Sequence, residues 1–239
     1  MAAFFAGIPD AGCSRGYGLI RRRQETSMLT RYRTVKRFGS AEIVIKKSRF
    51  IGFAKPVETE EEAVAFIESI KKEHWSATHN CSAYMIGERD EIQKASDDGE
   101  PSGTAGKPIL EVIKNQGLKN VVVVVTRYFG GIMLGAGGLI RAYTDGAVTG
   151  LAAAEQVYKV LHREVLVEVD YTWLGKVENE LRNRGMMMGE TVFTDKVTLS
   201  CLPLVEEADT FAAWMTDLTQ GQGTIIHGEE RYVEHAELP

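Results

Sequence analysis

Three stretches of this chain gather enough functional groups to do chemistry. The first runs from Ser96 to Pro108 and holds Asp97, Asp98, Glu100, Ser102, Thr104 and Lys107 among three glycines. Glycines let backbone amides converge on a ligand, and a helix start after them adds a positive dipole end, which suits an anion. The phosphate-loop pattern G-x-x-x-x-G-K-[ST] fails at Pro101 and at Pro108. The three acids offer oxygens to a hard cation instead. The bland reading is an ordered loop whose turn-forming residues cap one another.

The second stretch runs from Thr126 to Tyr143 and carries Arg127, Tyr128, Gly130, Gly131, Gly135, Arg141 and Tyr143. It reads as strand, glycine turn, helix, but Ile140 stands where a dinucleotide fingerprint needs its last glycine. Arginine beside tyrosine grips phosphate and stacks on bases, and the same pair anchors protein interfaces. The third stretch, His74 to Cys81, pairs two histidines with a cysteine. Its H-x4-H spacing crosses a helix end rather than following one face, which favours a capped helix end over a metal ligand set or a nucleophile. The expectation is a chain with no cofactor, no metal and no catalytic residue.

The elements that must position these stretches follow from local pattern. Strands are expected over Tyr32–Phe38 and Ala41–Lys47, as a hairpin around Gly39-Ser40, and over Phe50–Val57. Thr59 with Glu62 forms a capping box, and Ala63, Phe66, Ile67 and Ile70 recur at helical spacing, giving a helix from Glu60 to about His74. Short strands over Cys81–Ile86 and Ile92–Ala95 precede a helix with Pro108 in its first turn and Gly117 at its end. Five consecutive valines mark Leu118–Thr126 as a strand buried on both faces. A helix from Gly135 to Ala154 closes the first unit. From Val157 onward the order is strand, helix, strand, strand, helix, strand, the ferredoxin-like pattern of two helices on one face of an antiparallel sheet.

Length and charge bound the rest. The 239 residues allow one large domain or two small ones, with a core that needs no staples. The net charge of −5 excludes a basic nucleic-acid coat protein. The longest uncharged apolar run, Val121–Val125, is far short of the ~20 residues of a membrane span. Cys13, Cys81 and Cys201 form no C-x-x-C pair and fit a reducing, cytoplasmic setting. Arg31–Lys55 holds eight basic residues against one acid, whereas 156–239 holds seven basic against fifteen acidic. Opposite signs argue for two units, over 28–155 and 156–239. Residues 1–27 show no period and read as a disordered leader or a mis-called start before Met28.

Ala77–Cys81, Ser96–Leu110 and Val124–Tyr143 together resemble the signature blocks of the IMPACT family, in its bacterial YigZ type. The resemblance runs from about Tyr32 to the end. It implies an α+β protein of two α/β sandwich domains. The first would be like the second domain of a small-subunit ribosomal protein, and the second would be ferredoxin-like, as in the last domain of elongation factor G. It further implies a link to translation. Eukaryotic members bind an activator of a stress kinase and so prevent phosphorylation of an initiation factor. Bacterial members have no assigned activity, and domain similarity suggests nucleic-acid binding.

The expected function is therefore a non-enzymatic binding protein of translation or its regulation, contacting RNA or a ribosome-associated protein through the first unit, with no membrane partner. Lys36, Arg37, Lys46, Lys47 and Arg49 are the expected phosphate contacts, and Tyr128 or Tyr143 the stacking group. The alternative is an enzyme or binding protein for a phosphorylated metabolite, an anionic small ligand held between the 96–108 and 127–141 loops.

Overall fold

The valine run decides the layout of the first unit. In the computed structural model, which describes residues 28–238, it forms the central strand β6 (Val121–Tyr128). The expected leader over residues 1–27 lies outside the described residues. Val121, Val123 and Val125 enter one apolar cluster and Val122 and Val124 the other, all with no exposure. Each buried valine contributes about 1.5–3 kcal/mol, so neither face tolerates water. The sheet is β2 (Gly39–Ile45), β3 (Ser48–Pro56), β6, β4 (His79–Ile86) and β5 (Ile92–Ser96), in that spatial order and antiparallel throughout. Helix α1 (Glu60–Glu73) covers one face through Ala63, Phe66, Ile67 and Ile70. Helices α2 (Gly106–Asn115) and α3 (Ala136–Ala153) cover the other. The capping box forms in half: the Thr59 hydroxyl accepts from Glu62 N–H, while the Glu62 carboxylate reaches past the cap to accept from Glu58 N–H.

The second unit comprises β7 (Gln156–Val169), α4 (Tyr171–Asn183), β8 (Met188–Phe193), β9 (Val197–Cys201), α5 (Ala208–Leu218) and β10 (Thr224–His235). Its strands lie in the order β10, β7, β9, β8, every neighbour antiparallel. Val165, Val167 and Val169 pack with Val177 and Leu181 of α4 and with Phe211 and Met215 of α5. The chain is thus an α+β protein with two sheets and two domains.

The hairpin expected around Gly39-Ser40 does not form. Strand β1 (Arg31–Val35) pairs instead with Gln156–Val160 of β7, in the second sheet. Gly39 has another use. A Cβ there would collide with the backbone of Ala153 and Ala154 at the end of α3. The hairpin that does form joins β2 to β3, and its turn is Lys46-Lys47, with φ of 45° and 65°. Two successive positive φ values are the signature of a turn that prefers Asn-Gly, and neither lysine suits it.

Strand β10 brings His235 against buried His162. His162 Nδ1–H donates to the Leu202 carbonyl at 2.7 Å, which leaves its Nε2 to accept from His235 Nε2–H at 3.0 Å. Burial, and then the neighbouring His162, hold His235 below its ordinary value. A depressed histidine stays neutral in the folded chain while the unfolded chain takes up a proton. Its contribution is present above pH 6.5 and is lost as pH falls through the lower folded value. Thermal melts should therefore drop between pH 7.5 and 5.5, and His235→Gln, which keeps a donor for His162, should flatten that slope.

Candidate functional site

Both glycine loops sit at one end of the first sheet, where β4 and β3 begin and β6 and β5 end. Thr78 N–H donates to the Arg127 carbonyl and Phe129 N–H to Thr78 Oγ1, tying the α1–β4 connection to the loop after β6. Gly130 N–H donates to Ser48 Oγ at 3.1 Å, and a Cβ at Gly130 would collide with the Lys47 carbonyl. The Lys46-Lys47 turn is thereby held against the same loop.

The 96–108 loop contains its own anion. The Asp97 carboxylate accepts from the backbone N–H of Gly103, Ala105 and Gly106 at 2.8–3.0 Å, the amides a phosphate would need. Burial pushes its pKa up, but those three amides outweigh it and leave Asp97 below the usual range. A depressed carboxylate contributes stability above its unfolded value near 3.8, lost as pH falls through the folded value. Asp97→Ala should destabilise by about 2 kcal/mol, the upper range for a helix cap. Urea unfolding of the variant and the parent at pH 7 measures it, and the difference should shrink as pH falls below 3.8.

Asp98 is also engaged. Its carboxylate accepts from Asn80 N–H at 2.7 Å and pairs with Lys71 at 3.0 Å, and its carbonyl accepts from His79 Nδ1–H. Thr104 donates to the Pro101 carbonyl. Ser102 and Lys107 are exposed, Lys107 beside the groove between α2 and α3.

Glu100 goes inside. Its Oε1 accepts from Arg127 at 2.6 Å and from the Tyr143 hydroxyl at 2.8 Å, with His79 Nε2 at 3.9 Å. Glu100, Arg127 and Tyr143 are all buried, and the Arg127 guanidinium lies between the rings of Phe50 and Phe129. The two loops therefore do meet, through this pair, but beneath the surface rather than across an open cleft. Burial pushes the Tyr143 hydroxyl far up, and the Cys81 thiol up to about 12, which favours the protonated thiol. Arg141 does not join them: its Nε reaches only the Gly137 carbonyl one turn back on α3.

The structure separates the expected stacking and basic groups. Tyr143 is fully buried and closed to a base. Tyr128 lies under the Arg49 guanidinium, with its hydroxyl 2.9 Å from His74 Nδ1. Arg49 is a bidentate partner of Glu42. Lys36 and Arg37 pair with Glu155 before the start of β2, at the opposite end of the strand from Lys46 and Lys47. The five basic residues form no single patch, because one strand carries them to opposite ends of the sheet.

What the sequence reasoning passed over are the apolar residues of this end. Trp75 is 82% exposed and Met133 84%, with Phe129 and Ile132 also exposed. The signal was present: Phe129, Ile132 and Met133 lie in a glycine-rich loop, where apolar side chains have no helix or strand face to bury them.

A two-domain α+β chain with two glycine loops closed over a buried Glu–Arg pair is the class that fold and site define. The description "Impact N-terminal domain" matches residues 46–151, and "Domain of unknown function (DUF1949)" matches 167–222. "IMPACT family member YvyE" of Bacillus subtilis is 54% identical over 209 residues, covering 87% of this chain and 96% of its own. "IMPACT family member YigZ" of Escherichia coli is 36% identical, covering 78% and 92%. A solved structure described as "Crystal structure of an hypothetical protein" is 31% identical, with a TM-score of 0.54, over 84% of this chain and 99% of that one. The chain belongs to the IMPACT family. Among the described residues no helix is long and apolar enough to cross a membrane.

Proposed function

We propose that this chain is a non-enzymatic binding protein of translation or its regulation, and that it meets its partner with the end of the first domain that carries both glycine loops. One observation carries the reading. The polar groups that looked ready to bind a ligand in sequence are occupied internally, Asp97 by amides and Glu100 by Arg127 and Tyr143, while Trp75 and Met133 stand in solvent. A phosphorylated metabolite at the 96–108 loop would have to displace Asp97 from three hydrogen bonds. The translation link rests on the family, whose relatives include eukaryotic proteins named "Protein IMPACT".

Gradient sedimentation of a lysate holding the tagged full chain tests this. The chain should travel with ribosomal particles or their subunits. Lys46→Ala with Lys47→Ala should reduce that fraction. Should RNA be the partner, nuclease should release the chain, and the double variant should flatten the salt slope by about 1.4, at ~0.7 per phosphate contact. A chain that stays in the light fractions at every salt concentration, and that turns over a sugar-phosphate or nucleotide, would overturn the reading.

A further inference from the structure

Resting on that reading of the loop end, we propose that the surface formed by Trp75, Phe129 and Met133 takes an acidic, amphipathic segment of a protein. The composition is that of an interface core. Tryptophan, phenylalanine, methionine and arginine are enriched where proteins meet, and unpaired acids are depleted. Trp75 follows the last turn of α1, Phe129 follows β6, and their backbones are joined through Thr78. Three different segments thus converge, with the Lys46-Lys47 turn against Gly130 as the third.

Charge selects the partner. Lys46 and Lys47 have no acidic partner among the described residues, and Arg141 bonds only to its own helix. Three acids of this end are engaged, Glu42 by Arg49, Asp98 by Lys71 and Glu100 by Arg127, and Glu73 is exposed with only His74 beside it. An apolar centre with unpaired Lys46, Lys47 and Arg141 on its rim, against the exposed carboxylate of Glu73, matches apolar residues flanked by carboxylates. The Lys46-Lys47 turn adds an independent argument. Lysines at φ of 45° and 65° occupy a turn that Asn-Gly fits without strain, and such strain is found where side chains serve function. RNA is the poorer match. Both tyrosines expected to stack are closed off, and two of the exposed loop side chains, Ile132 and Met133, have no π-face.

The test measures fluorescence anisotropy with three labelled probes against the full chain. They are a 15-residue peptide with leucine at helical a/d spacing and glutamate elsewhere, the same peptide with lysine for glutamate, and a 12-residue oligouridine. The glutamate peptide should bind with a dissociation constant below 1 mM, at least tenfold tighter than the lysine peptide. Trp75→Ser with Met133→Ser should weaken it at least tenfold. Lys46→Asn with Lys47→Gly should weaken it about fivefold while raising the melting temperature, which separates lost binding from lost folding. Equal binding of both peptides, no binding of the glutamate peptide, or binding unmoved by the Trp75 and Met133 changes would overturn the proposal. Oligouridine bound more tightly, and through Trp75, would overturn it while leaving the link to translation intact. Sedimentation with ribosomal particles decides that link separately.

Discussion

Glu100→Ala should cost about 3–5 kcal/mol of stability, the range for removing one partner of a buried ion pair. The change strands the Arg127 guanidinium, which is buried and has no other carboxylate in contact. It also leaves the Tyr143 hydroxyl without its acceptor, inside a side chain of no exposure. The Arg127 Nε already lacks a hydrogen-bond partner, so the guanidinium has no reserve contact to shift to. Chemical denaturation of the variant reads the loss. The companion experiment is Glu100→Leu with Arg127→Met. With both charges gone no charge is left uncompensated, only the Tyr143 hydroxyl without its acceptor, and the double variant should regain a large part of what the single change loses. A double variant as unstable as Glu100→Ala would mean that the loops depend on the hydrogen bonds rather than on charge balance.

Gly52→Ala should be among the most damaging changes at the glycines, at about 3 kcal/mol, the upper range for forced overpacking. A Cβ at Gly52 of β3 would collide with the carbonyl oxygen of Gly146 on α3. The obstruction is backbone, which has no rotamer to yield. The contact is reciprocal: a Cβ on Gly150 would lie 2.7 Å from the Gly52 carbonyl carbon, and one on Gly146 would lie 2.9 Å from Val125. Helix and sheet touch main chain to main chain here. Gly137→Ala, one residue into the same helix and facing open space, should instead be neutral or stabilising, since alanine is the better helix former. Melting temperatures of the two variants, taken together, separate close approach from helix propensity.

Features set by neighbouring residues were legible. The valine run, the Thr59–Glu62 box and the order of elements in the second domain depend on residues a few positions apart, and each appears where local pattern puts it. The meeting of the two loops was also within reach, because both follow strands that end on one edge of the same sheet. The partner of β1 was not. Its hydrogen bonds are made to residues about 120 positions away, and nothing in Arg31–Val35 distinguishes that partner from a neighbouring strand. The turn was misplaced for a related reason. Gly39 looks like a turn but serves a helix end 114 residues on, and Lys46-Lys47 looks like a strand end but turns. The roles of Glu100 and Tyr143 were hidden by burial. Sequence shows a carboxylate and a phenol, and only the packing of α3 decides that they face each other instead of a ligand.

The pairing of β1 with β7 sets a schedule for synthesis. Strand β1 leaves the ribosome before the strands of the first sheet, yet its partner residues follow about 120 positions after it. At ~5–20 residues per second that is a wait of roughly 6–25 s. During it the whole of the first sheet emerges and has time to form, since its strands pair among themselves. Meanwhile β1 has several footholds there: Lys119 N–H donates to the Arg33 carbonyl, Arg33 Nη1 and Thr34 Oγ1 donate to the carbonyls of Gln116 and Asn120, and Val35 packs into the first core. These contacts give a folded first domain the means to hold β1 until the second half of the chain arrives to pair with it.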